Sequence, residues 1–271
     1  MQLRQVRWFN TVAAHTIRAV GAREFGRRHL HRLGPVAARL PNGEILRLES
    51  SQDDNVANKV FWKGWAGYEP ETAPLWWELC QKAEVVLDVG AQIGYFALLA
   101  GHANATVVAF EPAAPNAERC RANIASNGLR NVELVEAAVA DNAGTAEFMA
   151  PPNRLSMQGK IVSGPPRAGW DVVSVPTVTV DDVRAARNLR VDLVKMDVEG
   201  HEPAALAGMA QTIREDRPAL LIEILNPDRG EEIRGLLDGY TVQAVTSNGL
   251  LAMDRLERSD RHEKNFLFTP A

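Results

Sequence analysis

A doubly wound, mostly parallel α/β sheet is the fold this sequence predicts, and three observations predict it. An apolar run breaks at a glycine turn and gives way to a helical pattern in VVLDVGAQIGYFALLA, residues 85–100. Strand-like and helix-like segments then alternate along the chain, the pattern of a parallel sheet with helices on both faces. Acidic residues Asp88, Glu111 and Asp197 stand at the ends of three predicted strands, and in such sheets ligands bind beyond the carboxyl ends of the strands.

The elements follow in order. Val85, Val86 and Leu87 form a β-branched-rich run suited to a buried strand. After Asp88 and Gly90, Ile93, Phe96, Ala97 and Ala100 recur at helical spacing. Gly90 and Gly94 leave room for a ligand to approach the backbone, and the helix start offers free N–H groups. Gln92 stands where the phosphate fingerprint G-x-G-x-x-G has its middle glycine, so a pyrophosphate is not expected. Asp88 suits a ligand with donors, such as an amino-acid ammonium group. The alternative is an ordinary β–α turn. The second strand, 107–110, ends in Glu111-Pro112, about 20 residues past the turn, where nucleotide-binding sheets take a ribose diol. A carboxylate accepts two hydrogen bonds from vicinal hydroxyls. A helix over 114–125, a turn at Asn127-Gly128 and a strand over 132–135 come next. A strand over 191–196 runs into DVEGHE, and a fifth covers 219–225.

With those segments on the page, LDVGAQIGYFALLA, VVAFEPAAPNAERCRANIASNG, VTVDDV and VDLVKMDVEGHEPAALAGM, followed by PALLIEI, the chain resembles the FkbM family of S-adenosylmethionine-dependent methyltransferases. The resemblance runs from about residue 65 to the end and rests on the FEP and K-x-D-x-E-G-x-E motifs. It implies a Rossmann-like class I methyltransferase fold with a seven-stranded sheet whose last strand runs antiparallel, NFLFTP being one of the closing strands. It also implies S-adenosylmethionine as cofactor and O-methylation of a sugar, glycolipid, polysaccharide or polyketide hydroxyl. Gln92 stands where the family usually has Asn, which keeps the amide and lengthens the arm.

Methyl transfer from a sulfonium needs alignment of oxygen, carbon and sulfur, and a base for the alcohol proton. Asp197, Glu199, His201 and Glu202 cluster where a strand ends and a helix begins. His201 is the most natural base, its pKa lying near neutral; the alternative is a histidine at a helix N-cap. Asp197 and Glu199 suit the same task. Asp197, Glu199 and Glu202 together also suit a hard cation such as Mg²⁺, which would acidify the hydroxyl. FWKGWAGYEPE, residues 61–71, is the candidate lid: aromatic faces attract a cationic sulfonium, and the resemblance puts Tyr68 and Glu69 near the cofactor. The alternative there is core packing of Trp62 and Trp65. The proline- and glycine-rich stretch 151–171 shows no periodicity and is expected on the ligand rim, recognising the acceptor.

The chain has 271 residues and a net charge of −4, enough for one large domain with an extension and unfavourable for nonspecific nucleic-acid binding. Two domains are expected: an N-terminal helical arm and β-hairpin over 1–60, and the cofactor-binding domain over 61–271. Within the first 40 residues eight arginines face one acid, Glu24, with Trp8, Phe9, Val12, Ile17 and Val20 as an apolar side. That arm reads as a packed helix with a solvated basic face, as a peripheral contact with an anionic membrane surface, or as a dimer contact. VAARLPNGEILRLE reads as a hairpin turning at Pro41-Asn42-Gly43, outside the central sheet. The apolar residues of the arm are interrupted by arginines, so no signal peptide is expected, and no apolar run reaches the ~18 residues of a membrane span. Two cysteines, Cys80 and Cys120, point to a reducing cytoplasm. A short-chain oxidoreductase is excluded, since Tyr68, Tyr95 and Tyr240 are followed four residues later by Thr72, Leu99 and Ala244 rather than Lys. The Asn/Asp-Pro-Pro-aromatic motif of nucleic-acid methyltransferases is missing. A non-catalytic binding module would have no need of DVEGHE; that module, or an enzyme with a protein or another small-molecule acceptor, is the alternative function.

Overall fold

The structure, a computed structural model, describes residues 33–50, 54–150, 159–162, 168–226, 229–254, 256 and 264–271. The basic arm lies before residue 33, outside the described residues. Strands β1 (Gly34–Arg39) and β2 (Ile45–Ser50) form the expected hairpin as a separate antiparallel sheet. Helix α1 (Asn55–Lys63) starts at Asp54, whose Oδ1 accepts a hydrogen bond from the Ala57 N–H (2.9 Å). Helix α2 (Thr72–Cys80) follows. The segment expected as a lid is therefore the end of one helix, a bend and the start of another. Trp62 is fully buried, so core packing accounts for it. The boundary expected near residue 60 falls inside α1, whose Val56, Val60 and Phe61 share one core cluster with the hairpin and the following helix.

The glycine-turn unit comes next: β3 (Val85–Val89), α3 (Tyr95–His102), β4 (Thr106–Phe110), α4 (Ala114–Asn127) and β5 (Val132–Val135). Four short strands then make a second small sheet: β6 (Ala138–Val139), β7 (Gly144–Ala150), β8 (Lys160–Ile161) and β9 (Asp171–Val178), in the order β6-β9-β7-β8. After α5 (Val180–Arg187) the main sheet resumes with β10 (Leu193–Met196), α6 (Glu202–Ala207), α7 (Ala210–Glu215), β11 (Ala219–Glu223) and α8 (Gly230–Leu236). It closes with β12 (Tyr240–Thr246), β13 (Gly249–Met253) and β14 (Asn265–Pro270).

The main sheet runs β13-β12-β14-β11-β10-β3-β4-β5, parallel from β11 to β5. β14 is antiparallel to β11, as expected. The sheet has eight strands rather than seven, because β12 turns back at Ser247-Asn248 and pairs with β13 as an added edge. Strands β3, β10 and β11 are buried on both faces, which explains their nearly continuous apolar sequence. One core cluster lies on the hairpin, α1, α2 and α3 side, the other on the α5 to α8 side. Strand order reverses between β3 and β10, so the crevice of a doubly wound sheet opens there. Among the described residues no helix is long and apolar enough to cross a membrane.

Candidate active site

The turn after β3 is fastened to its neighbours before any ligand is considered. The N–H groups of Gly90 and Ala91 both donate to the Phe110 carbonyl (3.0 and 2.9 Å). Gly90 has φ +89°, and a Cβ there would lie 1.9 Å from the Asp197 carbonyl oxygen. Gly94 has φ +86°, and its Cβ would lie 2.7 Å from Cys120 Sγ on α4. Both glycines are required by the close approach of protein atoms, the continuation of β10 in one case and α4 in the other. Asn123 of α4 ties this turn to the hairpin: its Nδ2 donates to the Ile93 carbonyl (2.8 Å), and its Oδ1 accepts from the Glu49 N–H (2.9 Å).

Glu111 follows β4 and is almost completely buried. Its Oε2 accepts from the Gln92 N–H (2.9 Å) and its Oε1 from the Ala113 N–H (2.8 Å) and Asn116 Nδ2 (3.4 Å). Burial pushes its pKa up to about 7, against the pull of those donors. Gln92 reaches this geometry with a left-handed φ of +52°. A cleft opens beside Glu111. Gly90, Gln92, Asp197, Glu199 and His201 line it, with Val89, Phe110, Ala138 and Val139 as apolar walls. Phe148 of β7 and Gly159, Lys160 and Ile161 close it from the small sheet. Of the proline-rich stretch, residues 159–161 thus line this cleft, the last two as β8.

Asp88, Tyr68 and Glu69 belong to a second group, behind the turn. Asp88 is 1% exposed, accepts from the Ala97 N–H, and leaves Oδ2 without a partner among the described residues. Burial raises its pKa to about 6, with Lys195 opposing. Lys195 lies directly opposite Asp88 in the β10–β3 register. It is fully buried, its Nζ stands 5.1 Å from the Phe96 ring centroid, and no described residue accepts a hydrogen bond from it. Burial would strip its proton, but Asp197, Glu69, Glu223 and Asp88 together keep it charged and raise its pKa. Oxygens of Glu69, Asp197 and Glu223 lie within 4.8 Å of one another. Burial pushes Asp197 well above the usual carboxylate range, against the pull of Lys195, and the neighbouring Glu223 adds to the rise. Burial would raise Glu223 too, but Lys195 and Lys264 hold it below its usual value, and Lys264 Nζ donates to its Oε1 (2.6 Å). Tyr68 packs edge-on against Tyr95 (5.5 Å), and burial beside Glu69 and Asp197 raises its pKa.

The end of the DVEGHE motif is arranged differently from the cation reading. Glu202 is buried and its Oε1 accepts from the Gly200 N–H (2.8 Å), closing the loop before α6. The carboxylates that converge are Glu69, Asp197 and Glu223, not Asp197, Glu199 and Glu202. Glu199 takes φ +54°, and burial raises its pKa. His201 is the N-cap residue of α6; burial lowers its pKa, and its charged neighbours are Asp141 and Arg229 rather than the Lys195 group. Its Nε2 has no partner among the described residues. Sequence reading gives no site role to Glu223, Asn265 or Lys264, and meets Lys195 only as the first residue of the K-x-D-x-E-G-x-E motif; the available signal is a lysine inside the apolar run of β10.

Comparison with solved structures gives matches at 11–17% identity. The chain is similar to the methyltransferase FkbM from Methylobacillus flagellatus KT, at 16% identity and TM-score 0.45 over 99% of this chain and 62% of that one. It thus spans less than two thirds of that protein. It is also similar to a SAM-dependent methyltransferase from Agrobacterium tumefaciens (11% identity, TM-score 0.47, 88% of this chain and 70% of that one). An O-methyltransferase from Bacillus cereus in complex with SAH matches at 15% identity and TM-score 0.42, over 74% and 80%. A comparison with curated proteins gives no match. The model of the methyltransferase FkbM domain matches residues 88–244, from the acid of the glycine turn to the middle of β12, more than half of the sequence; the chain belongs to the FkbM methyltransferase family.

Proposed function

We propose that this chain is an S-adenosylmethionine-dependent O-methyltransferase acting on a hydroxyl of a sugar, glycolipid, polysaccharide or polyketide-type acceptor. The observation that carries the reading is that Glu111 and Asp197 line one cleft beside the glycine turn, with Asp88 in β3 just before that turn, at the point where strand order reverses. The donor set fits the cofactor. Glu111 Oε2 keeps a lone pair for a ribose hydroxyl beyond the Gln92 N–H, and Oε1, held by the Ala113 N–H, meets Asn116 Nδ2 only at 3.4 Å, a bond that a second hydroxyl can replace. The apolar walls of the cleft suit an adenine ring, and the unpartnered Asp88 Oδ2 suits an ammonium group. When bound, S-adenosylmethionine supplies the methyl group from its sulfonium by in-line displacement.

The chain's own residues handle the proton. Asp197, on the cleft wall with Glu223 beside it, takes the acceptor's hydroxyl proton as the oxygen bonds to the methyl carbon and the carbon–sulfur bond breaks. Lys195 and Lys264 keep the negative charge on Glu223 in place. Two ammonium groups against the carboxylates also leave little electrostatic need for Mg²⁺. His201 is the second reading for the base, favoured by its place on the cleft wall and its unpartnered Nε2. Two buried thiols, Cys80 and Cys120, support a reducing cytoplasm as the setting.

The test is transfer of label from S-adenosylmethionine to a panel of sugar and polyketide alcohols, with and without EDTA. Asp197→Asn should lower turnover about 10²- to 10⁴-fold, with cofactor affinity nearly constant, while EDTA changes nothing. A silent Asp197→Asn with an inactive His201→Ala moves the base to His201. Loss of activity in EDTA with recovery in Mg²⁺ refutes the metal-free reading, and full turnover in both variants refutes the site.

A further inference from the structure

A second cavity, of about 630 Å³, opens between the start of α2 and the β12–β13 turn. Glu69, Thr72, Ser247, Asn248, Lys264 and Asn265 are among its lining. It meets the cofactor cleft at the carboxylate group. Asp197 lines the cleft, Glu69 lines this cavity, and their oxygens stand within 4.8 Å of each other and of Glu223. A molecule in this cavity therefore meets Glu69, whose carboxylate stands beside those of Asp197 and Glu223.

The inner wall is short of donors. Asn265 is 5% exposed and lies opposite Glu223 in the β11–β14 register. Its Nδ2 donates to Glu69 Oε2 (3.2 Å), which leaves Asn265 Oδ1 and Glu69 Oε1 buried without partners among the described residues. Two adjacent buried acceptors are costly unless a ligand brings hydrogens to them. The rim adds hydroxyl and amide groups from Thr72, Ser247 and Asn248, and Leu250 and Leu251, 40% and 49% exposed, form an apolar shoulder. Donors spaced for two neighbouring acceptors, polar partners at the rim and an apolar face for C–H surface match a polyhydroxylated ring.

We propose that this cavity is the acceptor pocket, that it takes a carbohydrate group, and that Asn265 and Glu69 read two of its hydroxyls. The proposal rests on the methyltransferase reading and narrows it: a macrolactone alcohol would leave one of the two acceptors unpaired.

The test uses the full chain loaded with S-adenosylhomocysteine and probed with methyl α-glucoside, maltose and myo-inositol by saturation-transfer NMR. Ser247→Trp fills the cavity mouth from an exposed turn that takes no part in the core. Asn265→Ala removes one buried acceptor. At least one probe should bind the unaltered protein, at least tenfold more weakly in Asn265→Ala and without detectable transfer in Ser247→Trp. Calorimetry should give the same S-adenosylhomocysteine affinity in all three proteins. Binding of no probe, or binding that Ser247→Trp leaves intact, overturns the proposal. So does a loss of S-adenosylhomocysteine affinity in Ser247→Trp, which would make the cavity part of the cofactor site. Failure of the unaltered protein to bind S-adenosylhomocysteine at all would instead overturn the methyltransferase reading.

Discussion

Glu111 shows how one side chain serves both the fold and the ligand. Its oxygens pin the turn through the Gln92 and Ala113 N–H groups while its outer lone pairs stay available to the cleft. Glu111→Gln keeps the volume but turns an NH₂ group toward one of those N–H donors. Affinity for S-adenosylmethionine should fall by about 2–4 kcal/mol, the worth of two charge-assisted hydrogen bonds; an unchanged calorimetric Kd would remove the ribose role. The same residue shapes the pH response. Asp88 and Glu111 hold protons in the folded chain up to about pH 6 and 7, whereas their ordinary values are 3.8 and 4.5. Between those limits the folded state binds more protons than the unfolded one, so these groups make stability fall as pH rises. Thermal melts of the ligand-free protein at pH 5 and pH 8 should give the lower midpoint at pH 8, with a smaller difference in Glu111→Gln. An equal difference in the two proteins would show that Glu111 is not the titrating group.

Between β3 and β10 the backbones approach so closely that only hydrogen fits at Gly90. A methyl group there meets a carbonyl oxygen at 1.9 Å, which cannot rotate away, and the φ of +89° adds strain. Gly90→Ala should therefore cost about 3 kcal/mol or more, read as a fall in thermal midpoint of roughly 6–12 °C. A variant that melts like the parent would mean the strands are not this close. The glycine itself is legible in the sequence; what crowds it is not, because Asp197 comes from a strand more than a hundred residues later. Strands β3, β4, β5 and β11 announce themselves as apolar runs, and Asp88, Glu111 and Asp197 fall at strand ends as the alternation implies. The small sheet left little trace. Most of β9 is solvent-exposed, including Val172 and Val173, and β7 mixes Gly, Thr, Ala and Glu, so neither shows the alternation of a half-buried strand. Lys195, Glu223 and Asn265 were hidden for another reason: register alone brings Lys195 beside Asp88 and Glu223 beside Asn265.

At the scale of the molecule, the described cleft residues run from Val89 to His201, and the second cavity adds segments around 69–72, 245–251 and 264–265. The arm over residues 1–32 carries seven arginines, and Glu24 is its only acid. No cofactor motif lies in it, so its charge suits a task other than holding the cofactor. An arginine close to an anionic bilayer contributes about 1 kcal/mol, so several acting together hold a protein at the surface at low salt and release it when salt screens them. Acceptors built on lipid carriers would be met there. Full-length protein should float with vesicles containing phosphatidylserine at about 20 mM salt and stay behind at about 500 mM, where the Debye length shrinks to a few ångströms. Protein lacking residues 1–32 should stay behind at both, yet bind S-adenosylhomocysteine within about twofold of the full chain (about 0.4 kcal/mol). Flotation that survives the deletion would assign the contact to another surface. Absence of flotation at low salt would end the membrane role and leave the arm to packing or to a second copy of the chain, which sedimentation of the two proteins separates.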